Sequence, residues 1–186
     1  MQTLLSERLR LVPVTTENAQ TLWDILQLPD LRNFQDLPDI DLVQFQRNVA
    51  SRPRSLAPGR FGRFEWLIYL EGVTEPVGWA SLRIGERTTF AAEIGYSVVR
   101  DYRGRGIATE AVHTLLDHAF MRLRLRRVRA YCVPENAASR VVLARAGFEE
   151  DGILPHGATI AGQPVDVLGH VLERARWEGL RPSKTP

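Results

Sequence analysis

The stretch Arg103-Gly104-Arg105-Gly106-Ile107-Ala108 decides how the rest of the chain is read, because the apolar pattern changes across it. Before it, Phe64, Trp66, Ile68 and Leu70 alternate with Glu65, Leu67 and Tyr69. A second run covers Val77 to Ile84 and a third Thr89 to Val99, the last with Phe90, Ala92, Ile94, Tyr96 and Val98 on one face. Alternation with period two, broken by short Gly- and Pro-containing turns, predicts three antiparallel strands. After it, Ala108, Val112, Leu115, Ala119 and Leu123 recur at helical spacing, joined by Leu116 and Phe120, which predicts one helix over 107–123. Glycines at such a junction let backbone amides crowd around an anion, and the helix N-terminus adds about half a positive charge. Arg103 and Arg105 add charge-assisted contacts to phosphate oxygens; the alternative is a plain turn with solvated arginines. The segment lacks the Gly-Lys-Ser/Thr ending of a P-loop and the third glycine of a dinucleotide fingerprint, which argues against a nucleotide hydrolase or a dehydrogenase.

Working outward, Arg8 to Val14 reads as a short opening strand. Thr15 to Asn18 caps a helix carrying Ala19, Leu22, Trp23, Ile25 and Leu26, and a second helix covers about Ile40 to Val49. Beyond the long helix come a strand over Arg127 to Val133, a helix over Asn136 to Ala146 stopped by Gly147, and two strands, Phe148 to Leu154 and Val165 to Leu172, around a Gly157 to Gln163 turn. Trp177 to Pro186 reads as a polar tail. The order β-αα-βββ-α-β-α-ββ, with no repeat or linker, predicts one α+β (mixed α/β) domain over 1–186, its core over 6–175.

The 186 residues are 44% hydrophobic and 25% charged, which excludes a disordered chain or a disulfide-stapled miniprotein. The net charge of +2 is unevenly distributed: Arg100 to Arg129 holds eight arginines against Asp101, Glu110 and Asp117, while Glu17 to Ala50 holds six acids against Arg32 and Arg47. A basic middle suggests a polyanionic ligand, and the acidic stretch suggests a cationic partner. Arg122 and Arg124 complement a helix dipole and Arg127 and Arg129 alternate on a strand, with no stacking pattern that would point to RNA or motif that would point to DNA. The single Cys132 forms no internal disulfide, and no cluster points to a metal. Glu7, Arg8 and Arg10 interrupt any signal-peptide core, and no apolar run approaches the roughly 20 residues of a membrane helix, so a cytoplasmic protein without membrane contact is expected.

Several motifs occur together: Ser6-Glu7-Arg8-Leu9-Arg10-Leu11, then Glu93-Ile94-Gly95-Tyr96, then Tyr102 through Ala111 containing Arg103-x-x-Gly106-x-Ala108, then Asn136-Ala137-Ala138-Ser139 and Gly147-Phe148. This set resembles the GNAT superfamily of acetyl-CoA-dependent N-acetyltransferases, in the branch that includes the ribosomal-protein N-terminal (RimJ/RimL-type) enzymes. The resemblance implies a mostly antiparallel sheet of about seven strands with a V-shaped splay and about four helices. It implies that backbone groups of Val98, Val99 and Arg100 pair with the pantetheine arm. Arg103, Gly104, Arg105, Gly106, Ile107, Ala108 and Thr109 would hold the pyrophosphate, and Asn136 the pantetheine amides or thioester end. Asn136 also fits as a helix N-cap, and both roles can coexist.

Acetyl transfer from a thioester needs a neutral amine, a donor for the developing oxyanion and protonation of the leaving thiolate. Glu93, on the strand face with Ala91, Gly95 and Ser97, is the candidate base, with a surface ion pair as its alternative. Ser139 is the candidate to position or protonate the thiolate. The resemblance places a tyrosine acid seven residues after the asparagine, where this chain has Leu143. His113 and His118 fall on the polar side of the long helix, His156 and His170 on the last strands near an acceptor cleft, and Cys132 reads as buried packing. The expected function is acetyl transfer from acetyl-CoA to a primary amine, preferably a protein N-terminal α-amine. Alternatives are a small amine (aminoglycoside, polyamine or amino acid) or a non-catalytic acyl-CoA-binding module. Selectivity would lie in Asn33 to Asp41, Ser51 to Gly62 and His156 to Gln163, and a homodimer is possible through the last strands and Trp177.

Overall fold

A computed structural model describes residues 1–32, 34–35, 40–86 and 90–181; Asn33, Thr89 and Pro186, named above as ends of expected segments, lie outside the described residues, as do two of the six acids of the acidic stretch, Asp36 and Asp39. In chain order the elements are β1 (Leu4–Leu5), β2 (Leu9–Pro13), α1 (Ala19–Leu26), α2 (Pro29–Arg32), α3 (Leu42–Ala50), β3 (Gly62–Leu70), β4 (Gly78–Ile84), β5 (Ala91–Val98), α4 (Ile107–Asp117), β6 (Arg127–Cys132), α5 (Ala137–Arg145), β7 (Glu149–Ile160), β8 (Gln163–Glu173) and α6 (Arg174–Leu180). The strands form one sheet of eight in the order β1-β2-β3-β4-β5-β6-β8-β7, against the seven expected; the extra member is the two-residue β1. All neighbours are antiparallel except β5 and β6. None of the described helices is long and apolar enough to cross a membrane.

The two faces of the sheet bury different helices. Leu9, Leu11, Phe64, Ile68, Leu82 and Ile94 pack under α4, whose Ile107, Ala111, Val112, Leu115 and Leu116 are buried at helical spacing. On the other face Leu67 and Trp79 pack against Leu22 and Leu26 of α1 and Phe45 and Val49 of α3. Asp41 starts α3 by accepting a bond from the Gln44 N–H at 2.7 Å, so this acid of the acidic stretch is committed to a cap.

Three expectations need correction. The helix expected to run to Leu123 is α-helical only to Asp117 and continues as a π-turn over His118–Arg122. His118, expected on the polar side, stands three residues after the buried Leu115 and is itself buried. The 157–163 turn is tighter than expected, because β7 runs to Ile160 and the chain reverses at Ala161-Gly162, both with positive φ. The tail expected over 176–186 is helix α6 as far as Leu180, and its Trp177 is buried against Phe120 at 5.0 Å between ring centroids. Arg-Ala-Arg-Trp carries a single large apolar residue, which is too little for a periodicity signal.

Candidate active site

β5 and β6 are paired only at Ala91–Arg127, Ala92–Val128 and Glu93–Arg129; beyond that vertex the strands part, giving the V-shaped splay. The Val99 N–H donates to Val77 on the β4 side at 2.9 Å, so the neighbouring Val98 peptide groups face the gap. The Val98 carbonyl accepts a bond from Arg103 Nε at 2.8 Å, and the same guanidinium reaches Asp30 of α2 at 2.6 Å.

The glycine turn follows a single 3-10 turn at Arg100–Tyr102. Gly104 and Gly106 have φ of +74° and +78°, a region where a side chain is strained, and a Cβ at Gly104 would meet nothing within 4 Å. Gly106 caps α4, whose first N–H groups, at Ile107, Ala108 and Thr109, have no intrahelical carbonyl to reach. The turn therefore presents open backbone and orphan donors, the chemistry a diphosphate requires. It is fixed from behind by the N-terminal segment. Glu110 of α4 accepts bonds from Ser6 Oγ at 2.7 Å, the Arg8 N–H at 2.9 Å and Arg8 Nε at 2.8 Å, while the Arg8 guanidinium also donates to the Arg105 carbonyl.

Splay and turn open into one groove of about 930 Å³. Of the expected cofactor residues, Val98, Arg103, Gly104, Gly106, Ile107, Ala108, Thr109 and Asn136 line it. Val99, Arg100 and Arg105 are not among the lining residues; the Arg105 side chain lies over the Tyr102 ring. Asn136 caps α5, its Oδ1 accepting from the Ser139 N–H at 3.1 Å.

Both expected catalytic residues line this groove. Glu93 faces it from β5 and is ion-paired with Arg83. Ser139, on the first turn of α5, has its hydroxyl 3.0 Å from the Tyr96 hydroxyl. Burial raises the Tyr96 phenol well above the ordinary tyrosine range, with the Ser139 bond opposing it, so Tyr96 remains a protonated donor. Cys132 is buried beside this pair, its thiol pushed up by burial. Leu143 is fully buried. His170 is buried with Nδ1 3.2 Å from the Leu168 carbonyl, His156 is exposed, and neither is among the groove-lining residues.

Sequence reasoning missed the Tyr96–Ser139 pair, the Asp30–Arg103 tie and the Arg8–Glu110 clamp. Tyr96 was read only as an apolar-face residue of its strand, and the other two pairs join segments 73 and 102 positions apart. The basic run is largely committed to local pairs: Arg127 with Glu173 at 2.5 Å, Arg129 with Asp151 at 3.6 Å, and Arg126 over the Phe90 ring. Phe90, expected on the buried face, precedes β5 and is 59% exposed.

The family model for the acetyltransferase (GNAT) domain matches residues 8–149. The chain belongs to the GNAT acetyltransferase family. Among curated relatives, it is 29% identical to the uncharacterized N-acetyltransferase p20 of Bacillus licheniformis, over 96% of this chain and 100% of that one. It is 32% identical to the ribosomal protein uS5-alanine N-acetyltransferase of Escherichia coli over 55% of this chain and 54% of that one. Among solved structures, Mycobacterium smegmatis RimJ in complex with CoA-disulfide superposes with a TM-score of 0.72 at 27% identity, covering 94% of this chain and 85% of that one. RimL, the ribosomal L7/L12 alpha-N-protein acetyltransferase in complex with coenzyme A, gives 0.75 at 20% identity over 92% and 98%, a likeness of fold.

Proposed function

We infer that this GNAT enzyme transfers an acetyl group from acetyl-CoA to a protein N-terminal α-amine, by direct attack with both bound in the groove. The observation that carries this reading is the continuity of one groove from the Gly104–Thr109 turn, past the open edge of β5, to the Tyr96–Ser139 hydroxyl pair. The relatives named for action on ribosomal proteins support the choice of acceptor.

Acetyl-CoA supplies the activated acyl thioester. The amides of Arg105 to Thr109 would hold its diphosphate, the Val98 to Arg100 backbone its arm, and Asn136 its amides. Arg103 would supply a further cation at the turn. The Ser139 hydroxyl would meet the leaving sulfur, and Tyr96 would support it with a donor that does not ionise near neutrality. This pair does the work that Leu143 cannot. Glu93, on the opposite face of β5 and ion-paired with Arg83, accepts a proton from the incoming ammonium through water. Holding amine and thioester in one groove supplies the remaining advantage as proximity.

A thiol-release assay with acetyl-CoA and a panel of N-terminal peptides, aminoglycosides and polyamines tests the reading. Release with peptides is expected; binding of CoA without release against any amine would leave the non-catalytic alternative standing.

A further inference from the structure

The floor of the groove beyond Gly95 carries a row of charges that the proposed chemistry does not require. In register stand Arg63 of β3, Arg83 of β4 and Glu93 of β5, all three lining the groove, with Arg129 of β6 next in the row but outside the lining. Two arginines directly opposite one another on neighbouring strands repel, so the Arg63–Arg83 pairing is unfavourable unless something negative sits between them. Arg129 is paired with Asp151, and the described carboxylates that pair with Arg63, Arg83 and the adjoining Arg52 fall one short. Glu65, only 2% exposed, serves both Arg52 and Arg63, the latter at 2.8 Å, and Glu93 serves Arg83. Three guanidiniums therefore share two carboxylates.

Burial, reinforced by Arg63, pushes Arg52 down to about 10, and burial together with Arg83 lowers Arg63, the direction expected where neighbouring cations crowd one carboxylate. The Arg63 and Arg83 side chains are 49% and 60% exposed, and both line the same groove as Ser139 and Tyr96. Two planar forks facing open space at the end of an acyl-transfer groove are built to receive a carboxylate.

We propose that Arg63 and Arg83 form a carboxylate-binding subsite that selects acceptor N-termini carrying Asp or Glu at the second or third residue. The inference rests on the reading of the groove as an N-terminal acetyltransferase site. Its spacing follows from the sheet. Arg83 stands one strand and Arg63 two strands from the β5 edge, hence about 5 and 10 Å at the usual strand separation. An extended acceptor advances about 3.3–3.6 Å per residue, which brings the side chain of residue two or three over the pair. The carboxylate of a free α-amino acid is one carbon from its amine and falls short.

The test compares N-terminal hexapeptides differing only at positions two and three, as Asp or Glu against Asn or Gln, together with free aspartate and glutamate. Turnover is read by thiol release with acetyl-CoA, and binding by calorimetry. Wild-type protein is expected to favour acidic over amide peptides about tenfold or more in kcat/KM, through KM, as for a charge-assisted bond. That ratio should collapse toward unity in R63Q/R83Q and recover in part in R63K/R83K, with thermal melts confirming that each variant folds. Equal handling of acidic and amide peptides by wild type, survival of the ratio in R63Q/R83Q, or turnover of the free amino acids in preference to the peptides would overturn the proposal. If no peptide is acetylated, the transferase reading fails, and the calorimetric preference for acidic peptides and its loss in R63Q/R83Q then decide the subsite separately.

Discussion

The Tyr96 hydroxyl stands 3.0 Å from the Ser139 hydroxyl, joining the strand on one side of the splay to the helix on the other. A serine alone is a weak handle for a leaving thiolate; a serine polarised by a buried, un-ionised phenol is a better one. S139A is expected to lower kcat about a hundredfold with little change in KM for acetyl-CoA, and Y96F about tenfold. Because the two act as a unit, the double variant should be no slower than S139A. Additive losses in single-turnover rates would show that they act separately.

Leu143 occupies the position where the GNAT resemblance places a tyrosine acid, and it is fully buried. L143Y is therefore expected to overpack the core and cost about 1–3 kcal/mol, lowering Tm by several degrees without raising kcat. A variant that folds normally and turns over faster would show that the missing tyrosine limits the wild-type enzyme.

Glu110 ties the N-terminal segment to the helix that follows the glycine turn. Burial alone would raise its carboxyl, but the bonds from Ser6 and the Arg8 N–H and guanidinium outweigh burial and hold it below the usual glutamate value. A depressed folded value means stabilisation that is complete above the unfolded value of about 4.3 and lost as pH falls from there through the folded one. Wild type should lose stability across that acid window more steeply than E110Q. At neutral pH, E110Q should be less stable by about 1–2 kcal/mol, measured by urea unfolding at several pH values. Parallel stability curves for the two proteins would remove this role.

Trp177 packs on Phe120, which lies in the π-turn that ends the long helix, and the Arg181 guanidinium covers its ring at 4.6 Å. W177A should cost about 3–5 kcal/mol, far more than the loss of a residue in a solvated tail. A melt within a degree or two of wild type would contradict this packing.

The parts of the site legible in the sequence were the local ones. Gly104 and Gly106 announce a turn because a positive φ leaves its mark on residue choice, and Asn136 announces a cap because caps act within three residues. Strand alternation placed Glu93 on the groove face. What could not be read were contacts between distant segments: Asp30 with Arg103, Ser6 and Arg8 with Glu110, and Tyr96 with Ser139. Register across the sheet was equally hidden, so the arginines at 63, 83 and 129 gave no hint of standing in a row with Glu93. The π-turn at His118–Arg122 was invisible because one inserted residue leaves the apolar pattern almost intact.

The central claim, acetyl transfer to an N-terminal α-amine, is tested most directly by fragment mass spectrometry of a peptide that has a free N-terminus and an internal lysine, incubated with acetyl-CoA and the enzyme. The account predicts one acetyl group on the α-nitrogen, none on the lysine, and loss of the product with S139A or with an N-terminally blocked peptide. Acetyl on the lysine alone, or an unmodified peptide under conditions where a small amine is acetylated, would contradict it.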